Sequence, residues 1–172
     1  FIEGESLHRM LRQRERLELD EAKRLVRDVG RGLADVHAAK VLHCDLKPHN
    51  VLWANNAGWK LVDFGVSRRA DGGLKRTSKA GTPGYMSPEH ALGEGVDVRS
   101  DLYSLCLVFY RALTGRPAYT GGDPAEVANV MRHRGPPDPR RWMPLSEDVV
   151  AVLRVGLAAD PKKRFQSATE LS

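Results

Sequence analysis

Residues 51–62 are all that separates two loops dense in polar side chains, and this closeness constrains the fold more than anything else in the chain. The first loop reads His43-Cys44-Asp45-Leu46-Lys47-Pro48-His49-Asn50, and the second begins Asp63-Phe64-Gly65. Between them, Val51-Leu52-Trp53 and Lys60-Leu61-Val62 read as two short strands around the turn Asn55-Asn56-Ala57-Gly58. Such a hairpin is a floor from which both loops hang. One loop then offers a carboxylate (Asp45), an ammonium (Lys47) and a carboxamide (Asn50), and the other offers a second carboxylate (Asp63). Phosphoryl transfer needs this set: a base or orienter for the acceptor hydroxyl, a cation for the γ-phosphate, and two oxygen ligands for Mg²⁺.

The rest of the chain reads as mainly helical. Leu7, Met10 and Leu11 mark a short helical face over residues 6–14. Asp20 is a candidate N-cap for a second helix, in which Ala22, Leu25, Val26, Val29, Leu33 and Val36 recur at helical spacing, weakened by Gly30 and Gly32. Residues 66–80 are polar and basic and read as a mobile loop. A central helix starts near Val98, buries Leu102, Leu105, Cys106, Phe109, Ala112 and Leu113, and stops at Gly115 with Pro117. A helix over 124–134 follows, then the connector Gly135-Pro136-Pro137-Asp138-Pro139. Ser146 caps a helix that turns Val149, Val150, Leu153 and Leu157 inward, and a last helix starts after Phe165.

A chain of 172 residues fits one domain with a sizeable core. No apolar run approaches the roughly 20 residues that a membrane span needs. Two cysteines, Cys44 and Cys106, give neither a disulfide framework nor a metal spacing, so a reducing cytoplasmic setting is expected. The balance of 27 basic to 22 acidic residues gives a net charge of +5. The basic residues are scattered, however, and 6% aromatic content offers few stacking platforms, so nucleic acid is not an expected partner.

The two loops together resemble those of a protein kinase, and further marks follow in the expected order. Gly81-Thr82-Pro83-Gly84-Tyr85-Met86-Ser87-Pro88-Glu89 is similar to the end of a kinase activation segment, with Ser-Pro-Glu in place of Ala-Pro-Glu. Residues 97–105 resemble the start of the long central helix of the large lobe, and Asp160-Pro161-Lys162-Lys163-Arg164-Phe165 the late segment whose arginine pairs with that glutamate. The nearest likeness is to the eukaryotic-like Ser/Thr kinases of bacteria. The sequence contains no Gly-rich loop, no Val-Ala-Ile-Lys strand and no helix glutamate to pair with that lysine. The resemblance therefore implies a C-terminal large lobe over 1–172, with hinge 1–7, catalytic loop 41–50 and activation segment 63–89, the N-lobe being absent and a partner. The parent protein is expected to carry any membrane anchor outside this segment.

On that resemblance, Asp45 orients or deprotonates the acceptor hydroxyl, Lys47 neutralises the γ-phosphate of ATP, and Thr82 bridges the two by its hydroxyl. Asn50 and Asp63 hold Mg²⁺, a hard cation that keeps several waters and needs few side chains. Ile2 offers backbone groups to adenine, Leu52 its apolar floor, and Ser6 touches the ribose. His43 and Phe64 are core pieces that pack together, Asp101 accepts hydrogen bonds from the catalytic-loop backbone, and Glu89 pairs with Arg164. Cys44 departs from the usual arginine, so phosphate on Thr77 or Ser78 would lack its partner there. The protein substrates expected carry Ser or Thr acceptors. The chain alone is expected to bind ATP poorly and to turn over negligibly. Two other readings stand beside this one: a pseudokinase-like scaffold, and a small-molecule phosphotransferase of the aminoglycoside-kinase type.

Overall fold

The computed structural model describes residues 3–55, 57–64, 68–69 and 82–171. Strand β1 (Gly4–Ser6) leads directly into helix α1 (Leu7–Arg14), because Ser6 caps it: its Oγ accepts the Arg9 N–H at 3.3 Å. Helix α2 (Leu19–Ala38) buries Ala22, Leu25, Val26, Val29 and Leu33 as their spacing predicts, and runs unbroken through Gly30 and Gly32. It begins earlier than Asp20. Glu18 is the N-cap, and the Glu21 carboxylate accepts the Glu18 N–H at 3.2 Å. Asp20 instead sits in the first turn, at the positive end of the helix dipole.

The expected hairpin is present with its strands shifted: β3 (Val51–Ala54) and β4 (Gly58–Leu61) pair antiparallel from Val51↔Leu61 to Ala54↔Gly58. It is fastened to α2 where Asp28 accepts the Trp59 N–H at 3.1 Å, and the rings of Trp53 and Trp59 meet edge-on at 5.3 Å. β1 adds a third strand, antiparallel to β3, that the sequence reading lacked. A second small sheet joins β2 (Val41–Leu42) to β5 (Arg68–Arg69). Part of the stretch expected to be a loop is thus a strand, and the rest of 66–80, with Thr77 and Ser78, lies outside the described residues.

Helix α3 (Pro88–Ala91) is a single turn that patterning did not reveal. Helix α4 (Val98–Thr114) starts and stops where expected. Asp97 caps it by accepting the Arg99 N–H at 2.8 Å, and Gly115 ends it at φ 70°, a left-handed conformation that favours glycine. Tyr103 and Tyr110 are buried along with the predicted apolar side, so α4 is enclosed nearly all round and forms the axis of the core. Helix α5 (Pro124–Arg134) matches its predicted span, and α6 (Glu147–Gly156) follows Ser146, with Val149, Val150, Leu153 and Leu157 inward. The helix expected after Phe165 is only a 3₁₀ turn at Ala168–Glu170. Among the described residues no helix is long and apolar enough to cross a membrane.

Candidate active site

The loop after β2 is held from beneath by one carboxylate. Asp101, 2% exposed in the first turn of α4, accepts the backbone N–H of His43 on Oδ2 and of Cys44 on Oδ1, each at 2.9 Å. The Nε2 of His37, from the last turn of α2, lies 2.9 Å from the same Oδ2. A buried carboxylate without donors would be costly, and here it has three. Cys44 is half-buried at φ 63°, so the chain turns sharply at the residue before Asp45. The sequence reading foresaw the two backbone donors and missed His37.

His43 is fully buried and both ring nitrogens are engaged. Nδ1 accepts the Asp45 N–H at 3.3 Å, which places the proton on Nε2, and Nε2 donates to the Val62 carbonyl at 3.2 Å. The imidazole therefore joins the two loops and is not available as a base. Its ring lies 4.8 Å from that of Phe64. Phe64 itself corrects an expectation. It is 39% exposed rather than a core piece, because its ring packs on His43 on one side and opens on the other to a cleft lined by Val36 and Leu61.

Three polar side chains converge above this support. Asp45 Oδ2 receives Lys47 Nζ at 2.6 Å and Asn50 Nδ2 at 3.2 Å, and the same Nδ2 donates to the Asp45 carbonyl at 2.9 Å. A 3₁₀ turn, Pro48–Asn50, places the amide, which is 4% exposed. With its NH₂ turned to Asp45, the Asn50 side-chain oxygen makes no hydrogen bond among the described residues and remains an acceptor. The second loop is tied to the first through the Val62 N–H, which donates to the Asn50 carbonyl at 2.9 Å. Asp63 follows at once, exposed and at φ 63°. An amide oxygen and a carboxylate are hard donors that suit Mg²⁺ better than a softer metal. Among the described residues no group of three or more His, Cys, Asp or Glu side chains forms a closed metal cage.

The remaining candidates are placed less uniformly. Ser6 and Leu52 face each other across the β1–β3 pair, although the Ser6 hydroxyl is engaged as the α1 cap. Ile2 lies outside the described residues. Thr82 is exposed and makes no hydrogen bond to Asp45 or Lys47 in this structure, where the ammonium sits directly on the carboxylate at 2.6 Å. An unforeseen pair flanks the loop: the rings of His8 on α1 and His49 stack at 3.7 Å.

The Ser-Pro-Glu strip is anchored by a residue far along the chain. Arg164 donates Nη1 to Glu89 Oε1 at 2.8 Å and Nη2 to Oε2 at 2.9 Å, and also binds the Ala158 and Ala159 carbonyls. Ser100 donates to Glu89 Oε1 at 2.7 Å. Burial alone would raise the Glu89 carboxyl. The Arg164 and serine bonds outweigh it and hold the group below the usual carboxylate range.

Comparison with known proteins agrees with this geometry. The protein kinase domain family is matched over residues 1–172. The serine/threonine-protein kinase PknB of Mycobacterium tuberculosis is 36% identical over 176 residues, covering 99% of this chain and 28% of that protein. A probable serine/threonine-protein kinase of Streptomyces coelicolor is 35% identical, with 99% and 26% covered, and PknA of Corynebacterium glutamicum 35%, with 100% and 37% covered. The chain thus spans between 26% and 37% of the length of these relatives. With the family matched from end to end, its first loop held by one buried aspartate and tied to the second by one buried histidine, the chain belongs to the protein kinase domain family, alongside the eukaryotic-like Ser/Thr kinases of bacteria.

Proposed function

We propose that these residues form the acceptor and metal side of an enzyme that transfers the γ-phosphoryl group of MgATP to Ser or Thr hydroxyls of proteins. The observation that carries this reading is the convergence of Lys47 and Asn50 on Asp45, at 2.6 and 3.2 Å, beside the strand end that presents Asp63. The acceptor Oγ attacks the γ-phosphorus, the bond to the β–γ bridging oxygen breaks, ADP leaves, and the hydroxyl proton passes to an Asp45 carboxylate oxygen. In a loose transition state proton removal is late, so Asp45 acts chiefly by orienting the hydroxyl. Lys47 balances charge on the transferred group. Asn50 and Asp63 would hold Mg²⁺, which when bound neutralises the phosphate oxygens. Leu52 would floor the adenine, with Ser6 opposite it on β1 toward the ribose. Thr82 enters this reading only as part of the peptide-docking strip.

These 172 residues carry no Gly-rich loop or strand lysine, so by themselves they would hold the phosphates from one side only and turn over negligibly. The test uses the full-length product of the reading frame, incubated with MgATP and a Ser/Thr peptide library. Transfer to peptide is expected, and is expected to be lost in Asp45→Asn with thermal stability unchanged. MgATP binding without any transfer would favour a scaffold, and transfer to small-molecule hydroxyls alone would favour the small-molecule reading.

A further inference from the structure

The connector between α5 and α6 arches over a cleft that the catalytic loops do not share. Tyr110 of α4 forms its floor and donates its hydroxyl to the Pro137 carbonyl at 3.0 Å. Met131 closes it from α5, and Val150, Leu153 and Leu157 line the α6 side. All five are between 0% and 5% exposed, so the walls are fixed by the core. The cleft measures about 410 Å³, within the roughly 300–1,000 Å³ of small-molecule sites.

Its rim is cationic. Arg132 and Arg134 end α5, and Arg154 stands on α6. Arg132 is engaged by Glu94 at 2.6 Å and Arg154 by Glu147 at 2.9 Å. The one rim carboxylate, Asp138, is covered by the Arg140 fork at 2.6–3.1 Å. The Arg134 side chain makes no ion pair or hydrogen bond with any described residue. A hydrocarbon trough therefore opens under an uncompensated guanidinium. The Tyr110 hydroxyl on its floor is already bonded.

We propose that this cleft binds an amphiphilic anion, with an unbranched alkyl chain in the trough and a carboxylate head on Arg134. Met131, Val150, Leu153 and Leu157 give the inner wall an apolar surface that suits a saturated chain, while the charged side chains stand at the rim. A guanidinium holds a carboxylate head through paired N–H donors that a neutral or cationic head cannot use. The site stands apart from the nucleotide reading and does not depend on it.

The test is calorimetric titration of dodecanoate, below its micellar concentration, into the full-length protein. Saturable one-site binding is expected, with affinity rising up to about fourfold per added methylene from octanoate to dodecanoate. Arg134→Glu, an exposed change, is expected to weaken dodecanoate by about tenfold or more. Ala158→Phe, which fills the mouth, is expected to abolish binding. If that variant fails to fold, Arg134→Glu decides alone. Absence of saturable binding, equal affinity for dodecyltrimethylammonium, or indifference of dodecanoate to Arg134→Glu overturns the proposal.

Discussion

His37 Nε2 lies 2.9 Å from Asp101 Oδ2, so the last turn of α2 and the first turn of α4 share one buried proton donor and acceptor. The same carboxylate carries the His43 and Cys44 amides, and through them sets the height of Asp45. Asp101→Asn keeps the shape but exchanges one acceptor oxygen for a donor, leaving a buried N–H opposed. A loss of about 1–3 kcal/mol in denaturant-unfolding stability is expected. On the proposed role of Asp45, kcat of the full-length protein is expected to fall more than the KM for peptide changes, since the loop that carries Asp45 is displaced. An unchanged kcat would show that Asp101 does not position the loop.

Lys47 touches Asp45 at 2.6 Å and is partly buried with it. Lys47→Met retains the alkyl stem and removes the charge. On the proposed role, kcat falls by about 10²–10³, the range for loss of one preorganised charge-stabilising group. Thermal stability is expected to change little, because Asp45 keeps the Asn50 donor. Steady-state kinetics beside a melting curve on the same sample separates the two effects.

Glu89 and Arg164 are joined by two parallel bonds, and the arginine side chain is fully buried over the ring of Tyr103 at 4.5 Å. Arg164→Ala leaves a buried carboxylate uncompensated and is expected to cost about 3–5 kcal/mol. The depressed Glu89 pKa sets a pH dependence of definite sign. The stability it contributes is fully present above the ordinary carboxylate range and is lost as pH falls through the lower, folded-state value. Glu89→Gln is therefore expected to flatten the acid limb of the stability–pH curve while lowering its neutral plateau. An acid limb as steep as that of the unaltered protein would contradict the pairing.

Much of this architecture is written locally. The caps at Ser6 and Asp97, the start of α6 after Ser146, the stop at Gly115 and the span of α5 all follow from residues within one turn of the boundary they set. The polar cluster at residues 45–50 was legible for the same reason, since one short loop brings its members together. What escaped depends on distant partners. His37 reads as an ordinary helix-end residue until the fold brings it to Asp101, 64 positions away. Strand β1 has no alternation of its own and exists only because β3 pairs with it. Asp20 is a good cap by residue type, but Glu18 and Glu21 form a reciprocal pair that moves the boundary. Phe64 has the composition of a core residue, and its exposure depends on what packs above it, which its own chemistry does not encode.

The crossing of α4 and α6 rests on the smallest of these contacts. Gly156 faces Cys106, and a Cβ added at Gly156 would overlap the Cys106 Sγ and lie 3.0 Å from its Cβ. Cys106 is fully buried, and burial pushes its thiol up to about 12, so it acts as packing and not as a nucleophile. Both helices have little room to part, because α4 is enclosed by α2 on its other side. Gly156→Ala is therefore expected to destabilise the fold by about 1–3 kcal/mol through overpacking, despite the better helix propensity of alanine. Cys106→Ala removes the sulfur that the new methyl meets, so the double variant is expected to be more stable than Gly156→Ala alone. A double-mutant cycle by denaturant unfolding checks this, and simple additivity of the two changes would place the strain elsewhere.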